Sequence, residues 1–218
     1  MVIFEKTLAL VESPYNGRLK VVKSLAWGTY IQAEGLTQSG GVVESIWKKV
    51  LGKLKKKNLE VKNCLILGLG GGTVAKLVNS TWTQAKVYGV DIDHFMVSLG
   101  EKHLGLDRKK VKIKVADALD FVLSELKKHR KYDLVVADLY CGSKFPEKFS
   151  SDKFLKLVSK IISKEGAVLF NRLYTSDLKT RKSALFLGRK LENFFSEVEY
   201  FYPQANLVFI CSKQSIHL

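Results

Sequence analysis

The stretch that decides the fold is Cys64-Leu-Ile-Leu-Gly68-Leu-Gly70-Gly71-Gly72-Thr73. Its first four residues form an apolar run with no polar interruption, which reads as a strand buried on both faces. The glycines permit a tight turn, and Thr73–Asn79 then opens at helical spacing. Strand, glycine turn and helix make the first unit of a parallel α/β sheet, whose ligands bind beyond the carboxyl ends of the strands. Missing Cβ atoms let a ligand approach helix-terminal N–H groups, so Gly68, Gly70, Gly71 and Gly72 are expected to cradle a nucleotide-containing cofactor.

Outward from that unit the alternation continues. Strands are expected at Lys86–Val90, Val111–Val115, Leu134–Ala137 and Ala167–Asn171, and helices at Phe95–His103, Ala118–His129 and Asp152–Ser163. The last of these helices has Ser150 or Ser151 as cap and Gly166 as stop. An amphipathic stretch from about Lys179 to Phe195 leads into strands Val198–Tyr202 and Leu207–Ser212, joined by Pro203-Gln-Ala-Asn206 as an antiparallel hairpin. Upstream, residues 4–38 show short alternating runs broken at Pro14-Tyr-Asn-Gly17 and Gly28, the pattern of a small β-meander or hairpin. Val42, Val43, Ile46, Trp47, Val50, Leu51 and Leu54 then fall on one helix face, and the helix runs into the basic stretch Lys53–Lys57. These patterns divide the chain into a small β region, residues 1–38, and an α/β domain, residues 39–218.

Three carboxylates end three successive strands. Asp91 follows the glycines by about 20 residues, where a carboxylate accepts two ribose hydroxyl hydrogen bonds. Asp117, in Ala116-Asp-Ala118, sits where it can accept from an adenine amino group or cap the next helix. Asp138, closing Tyr132-Asp-Leu-Val-Val-Ala-Asp138, can orient a nucleophile or take its proton, with Tyr140 as a substrate-facing aromatic. Cys141 reads as an inert small residue, because no neighbouring cation favours a thiolate. Asn171-Arg172 offers a guanidinium for a carboxylate or phosphate, or simply a helix cap.

Composition narrows the setting. The 36 Lys and Arg against 21 Asp and Glu leave a formal charge of +15, which favours anionic partners or marks a solvated lysine-rich surface. Lys48–Lys57 and Asp107–Lys114 are its densest segments. No long apolar run exists and charges interrupt the first residues, so a soluble, cytoplasmic protein without a membrane segment is expected. Cys64, Cys141 and Cys211 lack paired short spacing, and His94, His103, His129 and His217 are scattered, so neither disulfide nor metal site is expected.

Taken in order, the glycine turn, Asp91, Ala-Asp-Ala and Tyr-Asp-Leu-Val-Val-Ala-Asp resemble the S-adenosylmethionine-dependent class I methyltransferases, in particular their spermidine synthase-like branch. Gly35-Leu-Thr-Gln38 followed by Glu44-Ser-Ile-Trp47 is similar to that branch's entry into its first helix. The resemblance implies a Rossmann-like fold with a seven-stranded, mostly parallel sheet and an antiparallel terminal strand. It implies S-adenosylmethionine as cofactor, with Gln38 and Ala118 joining the glycines, Asp91 and Asp117 around it. It also implies a possible homodimer, for which Trp27, Tyr30 and Trp47 offer apolar surface or, alternatively, core.

The departures bear on the reaction. Aminopropyltransferases carry an Asp in the glycine loop where this chain has Gly71, a second Asp where it has Cys141, and a Tyr-His-Glu-like group where it has Trp47-Lys48-Lys49. Each change removes negative charge from a site that must hold a polyamine. Methyl transfer to a small or anionic acceptor is therefore expected, with Asp138 and Tyr140 as catalytic residues. The alternatives are polyamine synthesis from decarboxylated S-adenosylmethionine, nucleic-acid methylation or RNA binding, a non-catalytic cofactor-binding module, and a dinucleotide-dependent dehydrogenase.

Overall fold

Strand alternation sorts the side chains of the central sheet between two apolar layers. In a computed structural model that describes residues 5–214, Cys64 and Ile66 face one layer while Leu65 and Leu67 face the other. Phe4, at the start of the expected meander, and His217 lie outside the described residues.

Four strands open the chain, β1 (Glu5–Ser13), β2 (Gly17–Ser24), β3 (Gly28–Ala33) and β4 (Leu36–Gly40), in an antiparallel sheet of sequential order. The expected boundary at residue 38 falls inside β4. Helix α1 (Gly41–Lys56) leads to β5 (Asn63–Leu67), α2 (Thr73–Thr81), β6 (Lys86–Asp91), α3 (His94–His103), β7 (Val111–Val115), α4 (Ala118–Lys127) and β8 (Tyr132–Ala137). A 3-10 turn, Glu147–Ser150, precedes α5 (Asp152–Ile161), β9 (Ile162–Leu173), α6 (Leu178–Leu191), β10 (Glu197–Phe201) and β11 (Asn206–Ser212).

The large sheet runs β10-β11-β9-β8-β5-β6-β7. Its core from β9 to β7 is parallel, and β11 lies antiparallel to both β9 and β10. The fold is thus the expected Rossmann-like α/β arrangement, except that the antiparallel last strand is inserted one place in from the edge. Trp47, Val50, Leu51 and Leu54 of α1 and Val74 and Val78 of α2 cover one face. Val122 of α4, Phe154 and Val158 of α5 and Leu187 of α6 cover the other. A third cluster joins Leu19, Val21 and Ile31 of the small sheet to Met96, Leu99 and Leu104 around α3.

Two expected boundaries shift. Ser151 caps α5, accepting the Phe154 amide at 3.3 Å, but Gly166 does not stop it. That helix ends at Ile161, and Gly166 lies within β9 beside a break in register, where Tyr132 pairs with Ile162 and Leu134 with Ala167. A side chain at Gly166 would press on the Asp133 carbonyl, so the bulged pairing needs glycine. Trp47 and Tyr30 are buried, so of the three aromatics considered for an interface only Trp27 is exposed.

Candidate active site

The carboxyl ends of β9, β8, β5 and β6, and the residues after β7, bring Asn171, Asp138, Gly68, Asp91 and Asp117 side by side in that order. β5 is the switch point, since the chain steps from it to β6 on one side and later to β8 on the other. A cavity of about 610 Å³ lies over this edge, roofed by Tyr15, Asn16 and Gln38 of the small sheet and walled by Trp47 of α1. That volume suits a ligand of cofactor size.

Gln38, Gly68, Gly70, Asp91, Asp117, Ala118, Asp138 and Tyr140 all line it. Gly71 and Gly72 do not. A side chain at Gly71 would run into Leu104, Ile31 and Ser39, and one at Gly72 into Leu106, while Gly100 of α3 packs directly on the Gly71 backbone. These two glycines serve close packing between layers, and an acid at residue 71 would not point into the cavity.

The loop amides are also spent. Gly68 and Leu69 donate to the Val90 carbonyl, both at 2.9 Å, Gly70 to Asp91 Oδ2 at 2.7 Å, Gly71 to Ser39 Oγ at 2.7 Å and Gly72 to the Leu69 carbonyl at 3.0 Å. The expected cradle of free N–H groups is therefore corrected: the turn shapes the cavity without offering these five donors. A dinucleotide's pyrophosphate would find none of them available, which removes the main support for a dehydrogenase. Gly68 is held at φ +85°, where any side chain would overlap the Asp138 carbonyl.

Asp91 holds the Gly70 amide with one oxygen and the Asp93 amide with the other, at 2.7 and 2.9 Å. Burial outweighs those hydrogen bonds and pushes its carboxyl up to about 6. Asp117 caps α4, accepting the Leu119 and Asp120 amides, and its other oxygen pairs with Lys148 from the 3-10 turn. Burial opposes this, yet Lys148 and the two amides hold the Asp117 carboxyl below the usual range. Its capping role is thus present, and an adenine amino group would have to share it with Lys148. Ala118, the first residue of α4, is buried against the same wall.

On the other side of Gly68, Asp138 accepts the Asn171 side-chain amide at 2.9 Å. Burial raises its carboxyl, against hydrogen bonds from Asn171 and the Trp47 indole. Asn171 Oδ1 is buried and has no partner among the described residues. Tyr140 is pushed up to about 12, chiefly by burial, and its hydroxyl oxygen accepts the Leu173 amide at 2.6 Å. It therefore retains its own proton to donate. Burial raises the Cys141 thiol, in keeping with an inert residue. Arg172, on the opposite strand face from Asn171, does not line the cavity; it stacks on Phe145 at 3.9 Å, bonds Ser150 and Ser183, and reaches the cavity only through its contact with the Tyr140 hydroxyl.

Sequence reasoning named Gln38 but missed Asn16, Glu34 and the turn Gln204–Asn206, which tertiary crossing delivers. Asn16 reaches from the turn after β1 to bond buried Asp93 at 2.6 Å, and its carbonyl accepts the Gly142 amide at 2.9 Å. Gln38 donates to the Gly142 carbonyl at 3.2 Å, and Glu34 accepts the Ser143 amide and hydroxyl. The small sheet thereby pins the loop after β8. Gln204, Ala205 and Asn206 close the acceptor side, with Gln204 and Ala205 at φ 22° and 56°. The only signal for this turn was its Pro203, and non-glycine residues in that conformation store strain.

The arrangement is that of a class I methyltransferase. Residues 60–201 match the methyltransferase domain family, to which the chain belongs, and its curated relatives include both polyamine aminopropyltransferases and protein methyltransferases. A polyamine aminopropyltransferase of Vibrio vulnificus is 25% identical over 130 residues, 59% of this chain and 44% of the relative. An eEF1A lysine and N-terminal methyltransferase homolog of Drosophila melanogaster is 30% identical over 161 residues, 66% of this chain and 24% of the relative. The match thus spans less than half of either relative. The crystal structure of a probable spermidine synthase from Corynebacterium glutamicum superposes with a TM-score of 0.75 at 18% identity, covering 94% of this chain and 80% of that one.

Proposed function

We propose that the protein transfers the methyl group of S-adenosylmethionine to an amine-bearing acceptor. The observation that carries this reading is the pair at the ends of β8 and β9. Asp138 accepts the Asn171 side-chain amide, and the Asn171 carbonyl is left unpartnered beside it, on the far side of Gly68 from Asp91 and Asp117. Asp91, Asp117 and Asp138 line the cavity against a single cation, Lys148, which Asp117 engages. An anionic acceptor finds no counter-charge among the residues that line the cavity beside Asp138, whereas an amine finds its carboxylate. The chain's +15 is carried elsewhere.

S-adenosylmethionine supplies an electrophilic methyl carbon on a sulfonium. Asp91 is suited to the ribose hydroxyls, and Ala118 and Asp117 flank the place for adenine. Thr73 and Val74 bring the N-terminus of the nine-residue α2 to the cavity wall, where the helix dipole favours the carboxylate of an intact methionyl tail. That preference separates this reading from aminopropyl transfer, whose donor lacks the carboxylate. Asp138 would hold the acceptor nitrogen in line with the methyl carbon and would take the proton that the nitrogen loses. Tyr140 can donate to a group of the acceptor beside it.

Transfer of radiolabelled methyl from S-adenosylmethionine to a panel of amines and amine-bearing peptides tests the reading. Label is expected on nitrogen, and Asp138→Asn is expected to lower turnover by about a hundredfold. Label on carboxylate or phosphate acceptors alone, or an Asp138→Asn variant of full activity, would contradict it.

A further inference from the structure

The basic segments most conspicuous in the sequence are paired in part, although Lys49, Lys56, Lys109, Lys110 and Lys114 have no side-chain partner among the described residues. Lys48 pairs with Glu44, Lys53 and Lys57 both pair with Glu199, and Lys55 pairs with Glu60. Arg108 pairs with Glu101, and Lys112 lies over the Tyr88 ring. α6 is different: residues 178–191 hold five Lys and Arg and no acid. Arg181 binds the Thr175 carbonyl and Lys190 pairs with Asp152, but Lys179, Lys182 and Arg189 have no side-chain partner among the described residues. Between these charges the same helix exposes Leu178 (67%) and Phe186 (61%), large apolar groups that a solvated helix has no use for.

This face begins at the mouth of the cavity. Thr175 lines the cavity, and its hydroxyl lies 3.1 Å from that of Thr180 in the first turn of α6. Beside it Arg181 stacks on Tyr174 at 5.2 Å, and Tyr174 meets half-exposed Tyr202 edge-on at 5.2 Å. Just past the pairing of β9 with β11, the Tyr174 amide binds the Ala205 carbonyl at 2.9 Å, fixing the strained turn beside this collar. A rigid aromatic rim thus continues into a basic and apolar helix face on the acceptor side.

We infer that α6 and the Tyr174–Tyr202 rim form a docking surface for an acidic polypeptide segment that carries the acceptor amine into the cavity. The inference rests on the amine reading above and adds the partner. Charge complementarity selects it: unpaired cations outside recognise acidic residues, while the carboxylate within receives the amine. Nucleic acid would satisfy the outside alone, since nothing beside Asp138 offers a countercharge to phosphate.

Fluorescence anisotropy of the full chain tests this with three labelled probes: a glutamate-rich peptide with one central lysine, its glutamine-for-glutamate counterpart, and oligouridylate. The glutamate-rich peptide is expected to bind tightest, with affinity that falls as salt rises. Lys182→Glu with Arg189→Glu is expected to weaken it about fivefold or more. Phe186→Ser, which alters no charge, is expected to weaken both peptides alike. Calorimetric affinity for S-adenosylmethionine is expected to stay unchanged in every variant. Equal binding of the two peptides, or indifference to the charge reversals, would overturn the proposal. Preferential oligouridylate binding lost on charge reversal would overturn it in favour of RNA. Docking intact in a protein that binds no S-adenosylmethionine would instead sink the functional reading and leave the surface standing.

Discussion

Asp91 is where the chemistry of single groups is most exposed to test. Its carboxyl is raised by burial to about 6 while it braces the Gly70 and Asp93 amides. A raised acid favours the protonated form in the fold, so ligand-free stability falls as pH rises from the usual 3.8 to about 6. A cofactor that donates ribose hydroxyls to the ionised carboxylate reverses that preference. Affinity for S-adenosylmethionine is therefore expected to weaken as pH drops through about 6, and Asp91→Ala to weaken it about a hundredfold at neutral pH. Titration at neutral and acidic pH checks both, and an affinity that is flat across that range would show that Asp91 serves the loop alone.

Among the elements, the small sheet is held to the large one by an apolar cluster against α3 and by a set of polar contacts, of which Asp93 gathers the most. Fully buried, it caps α3 through the Phe95 and Met96 amides and accepts Ser13, the last residue of β1, and Asn16 from the turn after it. Asp93→Ala is expected to cost about 3 kcal/mol, from the lost cap and two stranded polar partners. Hydrogen exchange should then speed up in β1, β2 and the loop at Gly142 before the large sheet; uniform exchange would deny the latch. Elements of the large sheet were legible because burial on both faces leaves unbroken apolar runs such as Leu134–Ala137, and because Asp117 and Ser151 cap helices locally. The early part of β9 was not, since Ser163-Lys164-Glu165 looks like a helix end and pairs only through a bulge. Nor was the inner place of β11, which depends on sheet pairing that local pattern does not encode.

At the scale of the whole molecule, charge is segregated. A chain at +15 encloses a cavity lined by three carboxylates and one lysine. That segregation was invisible in composition, which suggested repulsion of amines from the site, because which charges face inward is decided by strand ends and ion pairs. The carboxylates themselves were legible, as each ends a strand, but their setting was not. Trp47, Asn16 and the Gln204–Asn206 turn come to the site only when the small sheet and the last hairpin cross over it. Gly71 shows the converse: its place in the motif suggested contact with the cofactor, while its geometry commits it to packing under α3.

Whether the cavity takes the intact methyl donor is decided by calorimetric titration with S-adenosylmethionine and, separately, with its decarboxylated form. Tighter binding of the intact compound is predicted, because the N-terminus of α2 favours its carboxylate and no acid other than Asp91, Asp117 and Asp138 lines the cavity to oppose it. Tighter binding of the decarboxylated form would contradict the account and assign the protein to aminopropyl transfer.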